Sequence, residues 1–233
     1  MRNNIIIRVF VFLIAYVLIS CSTENAAPND NRLGFAFFPL KGGQYNIYAV
    51  EKTSYKITGE IETTNYLLKE AVADSFLNET NTYTYLLHRS IKLNGNDWRL
   101  DSVWSARKTN HQAIIVENNI PYVKLIFPFS EKATWDGNRL NTQVEEPYIM
   151  ENINQPITLN NQTFDKAVTI VQKDNEDSII FLERRKEIYA QDIGLIYKES
   201  AAIKYCAQVH CIGKGQIDLG ELFKQTFLES GKE

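Results

Sequence analysis

Thr80-Asn-Thr-Tyr-Thr-Tyr-Leu-Leu-His88, Leu93-Asn-Gly-Asn-Asp97 and Trp98-Arg-Leu-Asp-Ser-Val-Trp-Ser-Ala106 form the passage that decides the fold. Its first part alternates, putting Asn81, Tyr83, Tyr85 and Leu87 on one face. Its last part puts Trp98, Leu100, Ser102 and Trp104 on one side, with Arg99, Asp101 and Val103 on the other. A period of two is the mark of a strand half-buried on a pleated sheet. Asn94-Gly95 in the polar junction supplies the positive φ angles that a tight hairpin turn demands.

The same grammar extends outward in both directions. His111 to Glu117 and Ile120 to Phe127 form a second pair across Asn118-Asn119, again tight-turn residues. Phe164 to Lys173 and Ser178 to Ala190 flank Asp174-Asn-Glu-Asp177, which reads as an acidic turn, and Gly194 to Cys206 is a long alternating strand. Upstream, Gly42-Gly43 is turn chemistry, after which Tyr45, Ile47 and Ala49 alternate with Asn46, Tyr48 and Val50. Leu219, Leu222, Phe223 and Phe227 suit a helical stripe as well as a strand. Phe38-Pro39-Leu40 and Phe127-Pro128-Phe129 each lead through a polar turn to an aromatic residue, Tyr45 or Trp135. That pattern is either an internal duplication or two proline-led sheet corners.

Successive hairpins of long strands predict an all-β protein with a large, twisted antiparallel sheet. A sheet of this size curls into an open barrel or folds into a sandwich, and either protects its edges. Composition agrees: twelve Tyr and twelve Phe stand among abundant β-branched residues, with two Met in 233 residues.

The chain opens differently. Arg2 and Arg8 precede an apolar run from Val9 to Ile19 that ends in Leu18-Ile19-Ser20-Cys21. A charged start, a short apolar run and a small-residue cleavage site describe an export signal, too short and too interrupted for a spanning helix. The Leu-x-Ser-Cys ending resembles the recognition box of bacterial lipoproteins. That resemblance implies cleavage after residue 20, a diacylglyceryl group on the Cys21 sulfur and a further acyl chain such as palmitate on the new amino terminus. Two or more chains make such an attachment stable. The expected organisation is therefore a lipoprotein signal peptide at 1–20, a lipidated cysteine and flexible tether at 21–34, and one β domain at 35–233. Ser22 follows the cysteine where an inner-membrane retention signal would carry Asp, so the resemblance implies an outer-membrane address, with either face possible.

Removing residues 1–20 shifts the formal charge from −3 to −5. That balance excludes nucleic acid, which needs a basic face, and a domain lying flat on anionic lipid.

Cys206 and Cys211, in Cys-Ala-Gln-Val-His-Cys, are close enough in an exported chain to form a disulfide. The alternative is a metal site of Cys206, His210 and Cys211, which lacks a fourth ligand at zinc-site spacing; the expectation is a disulfide, no metal and no cofactor. His88, His111 and His210 stand in separate segments, and no nucleophile elbow, zinc helix or phosphate loop occurs. The sequence thus reads as a non-enzyme. Glu145-Glu146 reads as part of a solvated loop, and Asp174, Glu176 and Asp177 lack the glycine and terminal Glu of a calcium loop. Asp101-Ser102-Val103 and Asp177-Ser178-Ile179 resemble the sites that some Bacteroidetes-type bacteria O-glycosylate, which makes Ser102 and Ser178 candidate acceptors.

From Phe38 onward the chain resembles a group of small lipoproteins common in Bacteroidetes-type bacteria. The phrases that carry the resemblance are 38–48 (FPLKGGQYNIY), 100–107 (LDSVWSAR), 124–129 (KLIFPF), 134–138 (TWDGN), 188–199 (IYAQDIGLIYKE) and the terminal Gly-Lys-Glu. The group has Trp where Asn46 stands, which implies a looser packing site here. The resemblance favours a strand for Leu219–Leu228 and carries no activity, so it assigns no residue a role.

Three function classes follow: a lipid-anchored envelope module that binds a protein or glycan partner, a carrier or sensor of an apolar ligand within a curved sheet, and a hydrolase. The first is the reading the sequence favours. A filled interior would count against the second, and a lined cavity of several hundred Å³ would favour it.

Overall fold

The computed structural model describes residues 33–79, 81–93, 95 and 97–233; the signal and Cys21 lie outside the described residues. A 3₁₀ turn at Phe35–Phe37 leads into twelve strands. They are β1 (Gln44–Tyr55), β2 (Ile61–Leu77), β3 (Tyr83–Lys92), β4 (Arg99–Lys108), β5 (Gln112–Glu117), β6 (Ile120–Ile126), β7 (Thr134–Asp136), β8 (Pro147–Leu159), β9 (Gln162–Asp177), β10 (Phe181–Ala190), β11 (Gly194–Tyr205) and β12 (Ile217–Lys232).

All twelve belong to one sheet, in the order β6-β5-β4-β3-β2-β1-β12-β11-β10-β9-β8-β7, nearly closed into a barrel. Every pairing is antiparallel. Sequential strands pair through short connections, the low-entropy way to build such a sheet. The one long-range pairing is β1 with β12, which joins the two six-strand halves. Each half begins with one of the Phe-Pro phrases, and the aromatic residues just before the first pack on the second. Phe35 meets Phe127 edge-on at 4.8 Å, and Phe37 lies 5.1 Å from Phe129.

The outer strands β6 and β7 meet at a seam. Val123 N donates to Gly137 O at 3.0 Å, and the Trp135 indole N–H donates to Val123 O at 2.8 Å. This satisfies edge groups that would otherwise be open to other chains. Trp135 is buried and meets the Tyr148 ring edge-on.

Because the strands alternate in direction, the turns β1–β2, β3–β4, β5–β6, β7–β8, β9–β10 and β11–β12 share one end of the barrel. The described N-terminus lies at the other end. There Phe129 N donates to Leu33 O, and Lys108 Nζ donates to the carbonyls of Phe35 and Phe38 at 2.9 and 3.0 Å. Gly34 takes a φ of +89°, and a Cβ there would strike the Phe129 ring. The last two residues of the expected tether, Leu33 and Gly34, therefore belong to the folded domain.

The turns follow the sequence closely in places. Asn118 and Asn119 both take positive φ, 50° and 67°, as a tight hairpin requires. Leu219–Leu228 lies wholly within β12.

The acidic quartet 174–177 is not a turn. It is the end of β9, the turn lies at 178–180, and Arg184 across the ladder reaches Asp174 at 3.1 Å and Glu176 at 3.5 Å. Opposite charges on facing strands extend a ladder that acidity alone would end. The loop before Pro147 is solvated and Glu145 is exposed, as expected, but Glu146 at its end is turned inward and paired with Arg185 and Lys173.

A disulfide joins Cys206 to Cys211 with a Cα–Cα distance of 5.8 Å, within the usual span of such bridges. Both cysteines are buried beneath an otherwise exposed β11–β12 loop. Reduction is expected to lower stability by about 2 kcal/mol on the chain-entropy view of so short a loop. Intact mass should rise by two hydrogen atoms and the urea midpoint should fall on treatment with reductant; an unchanged mass would rule the bridge out.

Candidate functional site

Glu70 (β2), Arg89 (β3), Glu117 (β5), Lys124 (β6), Glu187 (β10) and Lys198 (β11) stand around one interior cavity. Their charges balance, three acids against three bases. Around them pack two apolar clusters. One includes Phe37, Val72, Leu87, Leu125, Trp135, Tyr148, Met150 and Ile170. The other is built on Tyr48, Val50, Leu68, Phe164, Ile196 and Phe227.

Lys124 is the centre of the charged group. A register shift between β5 and β6 pairs Ile114 with Val123 and Ala113 with Leu125, so Lys124 has no opposite residue. Such a bulge re-aims a side chain, and here the ammonium is only 4% exposed. It lies 2.6 Å from Glu117 and 2.8 Å from Glu187. Lys198, the cross-strand partner of Glu187, closes the group at 3.3 Å from Glu117 and 3.5 Å from Glu187. Tyr189 Oη donates to the second oxygen of Glu187 at 2.6 Å. Strands β5 and β6 are thereby tied to β10 and β11 across the interior. Beside this group, Arg89 Nε donates to Glu70 at 3.2 Å and stacks 3.6 Å from the Trp104 ring centre.

Burial and charge act against each other on these groups. Burial pushes the Glu117 carboxyl up, but Lys124 and Lys198 outweigh it and hold its pKa at about 2. Glu187 is likewise lowered, burial being overcome by the same two lysines. Lys124 is raised: burial opposes its charge, and Glu117 with Glu187 more than restores it. Glu70 differs, since burial raises its carboxyl and Arg89 only partly offsets this. Burial also raises the hydroxyls of Tyr48 and Tyr189, so both stay protonated donors.

A pH dependence follows. A carboxyl near 2 in the fold and 4.5 when unfolded stabilises the fold above 4.5, and that contribution is lost as pH falls toward 2. The urea midpoint should therefore drop between pH 5 and pH 2, with Glu187 adding in the same direction. Glu70, being raised, works oppositely just above 4.5. A Glu117→Gln variant should show a flatter acid limb in the same titration.

A different surface lies at the end away from Leu33. Three neighbouring connections there carry exposed aliphatic side chains: Ile57 and Ile61 around β1–β2, Val209 and Ile212 on the disulfide loop, and Ile179 and Ile180 on β9–β10. Val209 is 99% exposed and Ile57 80%. Tyr205 N donates to Ile180 O at 2.9 Å, joining two of the three, and Tyr55 faces Gly220 to join the third. Some charges near this rim are matched locally, Lys56 by Glu60 and Glu62 and Lys52 by Glu221, while Lys214 on the disulfide loop is exposed.

The histidines are all exposed and on separate elements, His88 on β3, His111 in the β4–β5 turn and His210 in the disulfide loop. The sulfurs of Cys206 and Cys211 and a His210 ring nitrogen lie within 4.8 Å of one another, but the disulfide leaves neither sulfur as a thiolate ligand. Ser178 is exposed in the β9–β10 turn, whereas Ser102 is half-buried opposite Arg89. Sequence reading did not single out the six interior charges. Their one signal is a charged residue at an inward position of an otherwise apolar strand, as in Tyr122-Val-Lys124-Leu.

No protein-family profile matches the chain, and no curated protein does. Solved structures similar to it include a protein described as exported, with a YmcC-like fold, from Bacteroides fragilis. It is 10% identical, with a TM-score of 0.43, over 84% of this chain and 99% of that one. Another is described as a lipoprotein, from Parabacteroides distasonis: 12% identical, TM-score 0.40, over 84% and 98%. A third is described as an outer-membrane lipoprotein-sorting protein domain, from Vibrio parahaemolyticus: 10% identical, TM-score 0.20, over 82% and 86%.

Proposed function

We propose that the chain is a lipid-anchored protein of the outer membrane, held through Cys21, whose barrel recognises a partner envelope protein with the rim of hairpin tips farthest from its N-terminal end. The observation that carries the reading is that rim: Ile57, Ile61, Ile179, Ile180, Val209 and Ile212 on three adjacent connections. Exposed aliphatic side chains grouped in one region mark an interaction surface. The disulfide holds one of the three loops in shape without a partner, which lowers the ordering cost of binding. With the charges around the β1–β2 tip already matched, the complementary surface is chiefly an apolar patch on a protein; a glycan would call for aromatic platforms.

Neither alternative class fares as well. The interior cavity, about 70 Å³ with charged walls, is far smaller than the several hundred Å³ that an apolar ligand needs, and the roomier groove of about 450 Å³ along Val50, Tyr66 and Leu67 lies open to solvent beside Glu51, Lys92 and Lys224. Against catalysis, the interior acids and bases are matched to one another, and the exposed histidines stand apart. We therefore read the domain as a non-enzyme that requires no cofactor. Ser178, on the same rim, is the acceptor we retain for O-glycosylation; a native mass equal to the lipidated polypeptide would dispose of it.

The anchor and the rim are tested separately. Fatty-acid labelling should tag the chain and fail in a Cys21→Ala variant. A photo-crosslinking residue at Val209 should give a discrete protein adduct in intact cells, and one at His88 should not. Ile57→Asp with Ile180→Asp should abolish the adduct while leaving thermal unfolding in place. Equal adducts at both positions, or none at Val209, would end the reading.

A further inference from the structure

The interior cavity holds one polar atom that nothing satisfies. Asn46 Nδ2 donates to Ile193 O at 3.0 Å and to Tyr48 Oη at 3.2 Å, which fixes the orientation of the amide. Its Oδ1 is buried and has no hydrogen-bond partner. A buried acceptor left unpaired costs about 1–3 kcal/mol, so this atom is a place where a donor would be stabilised.

Glu70 stands directly across the ladder from Asn46. Cross-strand neighbours lie on one face with Cβ atoms about 5 Å apart, and both residues line the cavity. The other interior carboxylates, Glu117 and Glu187, each have two lysines. Among the described residues Glu70 is ion-paired only with Arg89, itself stacked on Trp104, with Lys198 acting from farther off. The site thus offers a neutral acceptor and a carboxylate with spare capacity for positive charge; the raised pKa of Glu70 agrees with that spare capacity. Phe38, Pro39, Leu40 and Tyr45 also line the cavity, an apolar fringe suited to a short alkyl group. A water needs roughly 10–15 Å³ measured in this way, so about 70 Å³ admits something larger than one water.

We propose that this cavity binds a small primary alkylamine, its ammonium held between the Asn46 amide oxygen and the Glu70 carboxylate. The N–H donors of a compact ammonium match these two acceptors. A quaternary ammonium has no donor to offer Asn46 and is too bulky. This site is independent of the rim, and either can fail without the other.

The test titrates the full chain in detergent with methylammonium chloride, following the backbone amides at positions 46 and 70 by NMR. Sodium, potassium and tetramethylammonium chlorides at equal ionic strength are the controls. We expect a saturable shift with methylammonium alone, at least tenfold weaker in Glu70→Gln and lost in Asn46→Leu. Asn46→Asp keeps an acceptor and adds charge, so it should bind at least tenfold more tightly; this guards against a variant that merely unfolds. No saturable shift, meaning a water-filled cavity, would overturn the proposal. So would equal shifts with sodium or tetramethylammonium, or unchanged affinity in Glu70→Gln.

Discussion

Replacing Lys124 with Met is expected to destabilise the protein by about 3–5 kcal/mol, the usual cost of removing one partner from a buried ion pair. Lys124 is the shared cation of Glu117 and Glu187, at 2.6 and 2.8 Å, and Glu187 is only 1% exposed. Without it, two carboxylates in the interior are left with Lys198 alone. The urea midpoint at pH 7 should fall with little change in m-value. The deficit should shrink on mild acidification, because the carboxyls in the variant lose what holds them low and take up protons more readily. Wild-type protein should behave in the opposite sense, losing stability between pH 4.5 and 2. Adding Glu117→Gln to Lys124→Met should recover much of the loss, since it is unpaired charge that does the damage and Glu187 keeps Lys198 at 3.5 Å. A single-variant loss below about 1 kcal/mol would mean that the interior tolerates bare carboxylates.

Trp135→Ala is expected to cost a comparable 3–5 kcal/mol, and for a different reason. The indole fills the interior against Tyr148 and donates at 2.8 Å to Val123 O across the seam. Removing it leaves a cavity, a lone carbonyl and two sheet edges less firmly joined. Trp135→Phe separates these effects: it keeps much of the packing and loses the hydrogen bond, so it should cost only about 1 kcal/mol for that bond. Hydrogen exchange gives a local readout. The Val123 amide, donated to Gly137 O, should exchange faster in both variants, while β1 and β12 amides at the centre of the sheet change only as global stability does. Unchanged protection at Val123 in Trp135→Ala would show that the seam is held by other means. Folded domains have roughly 5–15 kcal/mol in total, so either single substitution threatens folding at growth temperature.

The hairpins legible in the sequence share one property: their signal is local. Asn118-Asn119 adopts the positive φ values its residue types suggest, and the alternation of Tyr83, Tyr85 and Leu87 becomes one face of β3. Strands β2 and β8 were not legible as strands, because Ile61–Leu77 and Pro147–Leu159 mix polar and apolar residues without a clean period. Asp174–Asp177 was misread for a related reason: acidity suggests a turn until Arg184 is known to lie opposite. Lys124 offered the least warning. An inward lysine follows from a one-residue register shift, and register is a property of two strands together. In β11, Lys198 and Glu199 are adjacent in sequence, yet only Lys198 lines the interior cavity.

By itself the sequence determined that the chain is all β, built of successive antiparallel hairpins, with a disulfide between Cys206 and Cys211. Period, turn residues and cysteine spacing are local quantities that the chain carries before it folds. Only the tertiary structure decided between barrel and sandwich, because closure depends on β6 meeting β7 through Trp135. It alone gathered six charges from six strands around one cavity and left Asn46 Oδ1 without a donor. Those contacts join residues up to 147 positions apart, a separation over which neither propensity nor periodicity carries information.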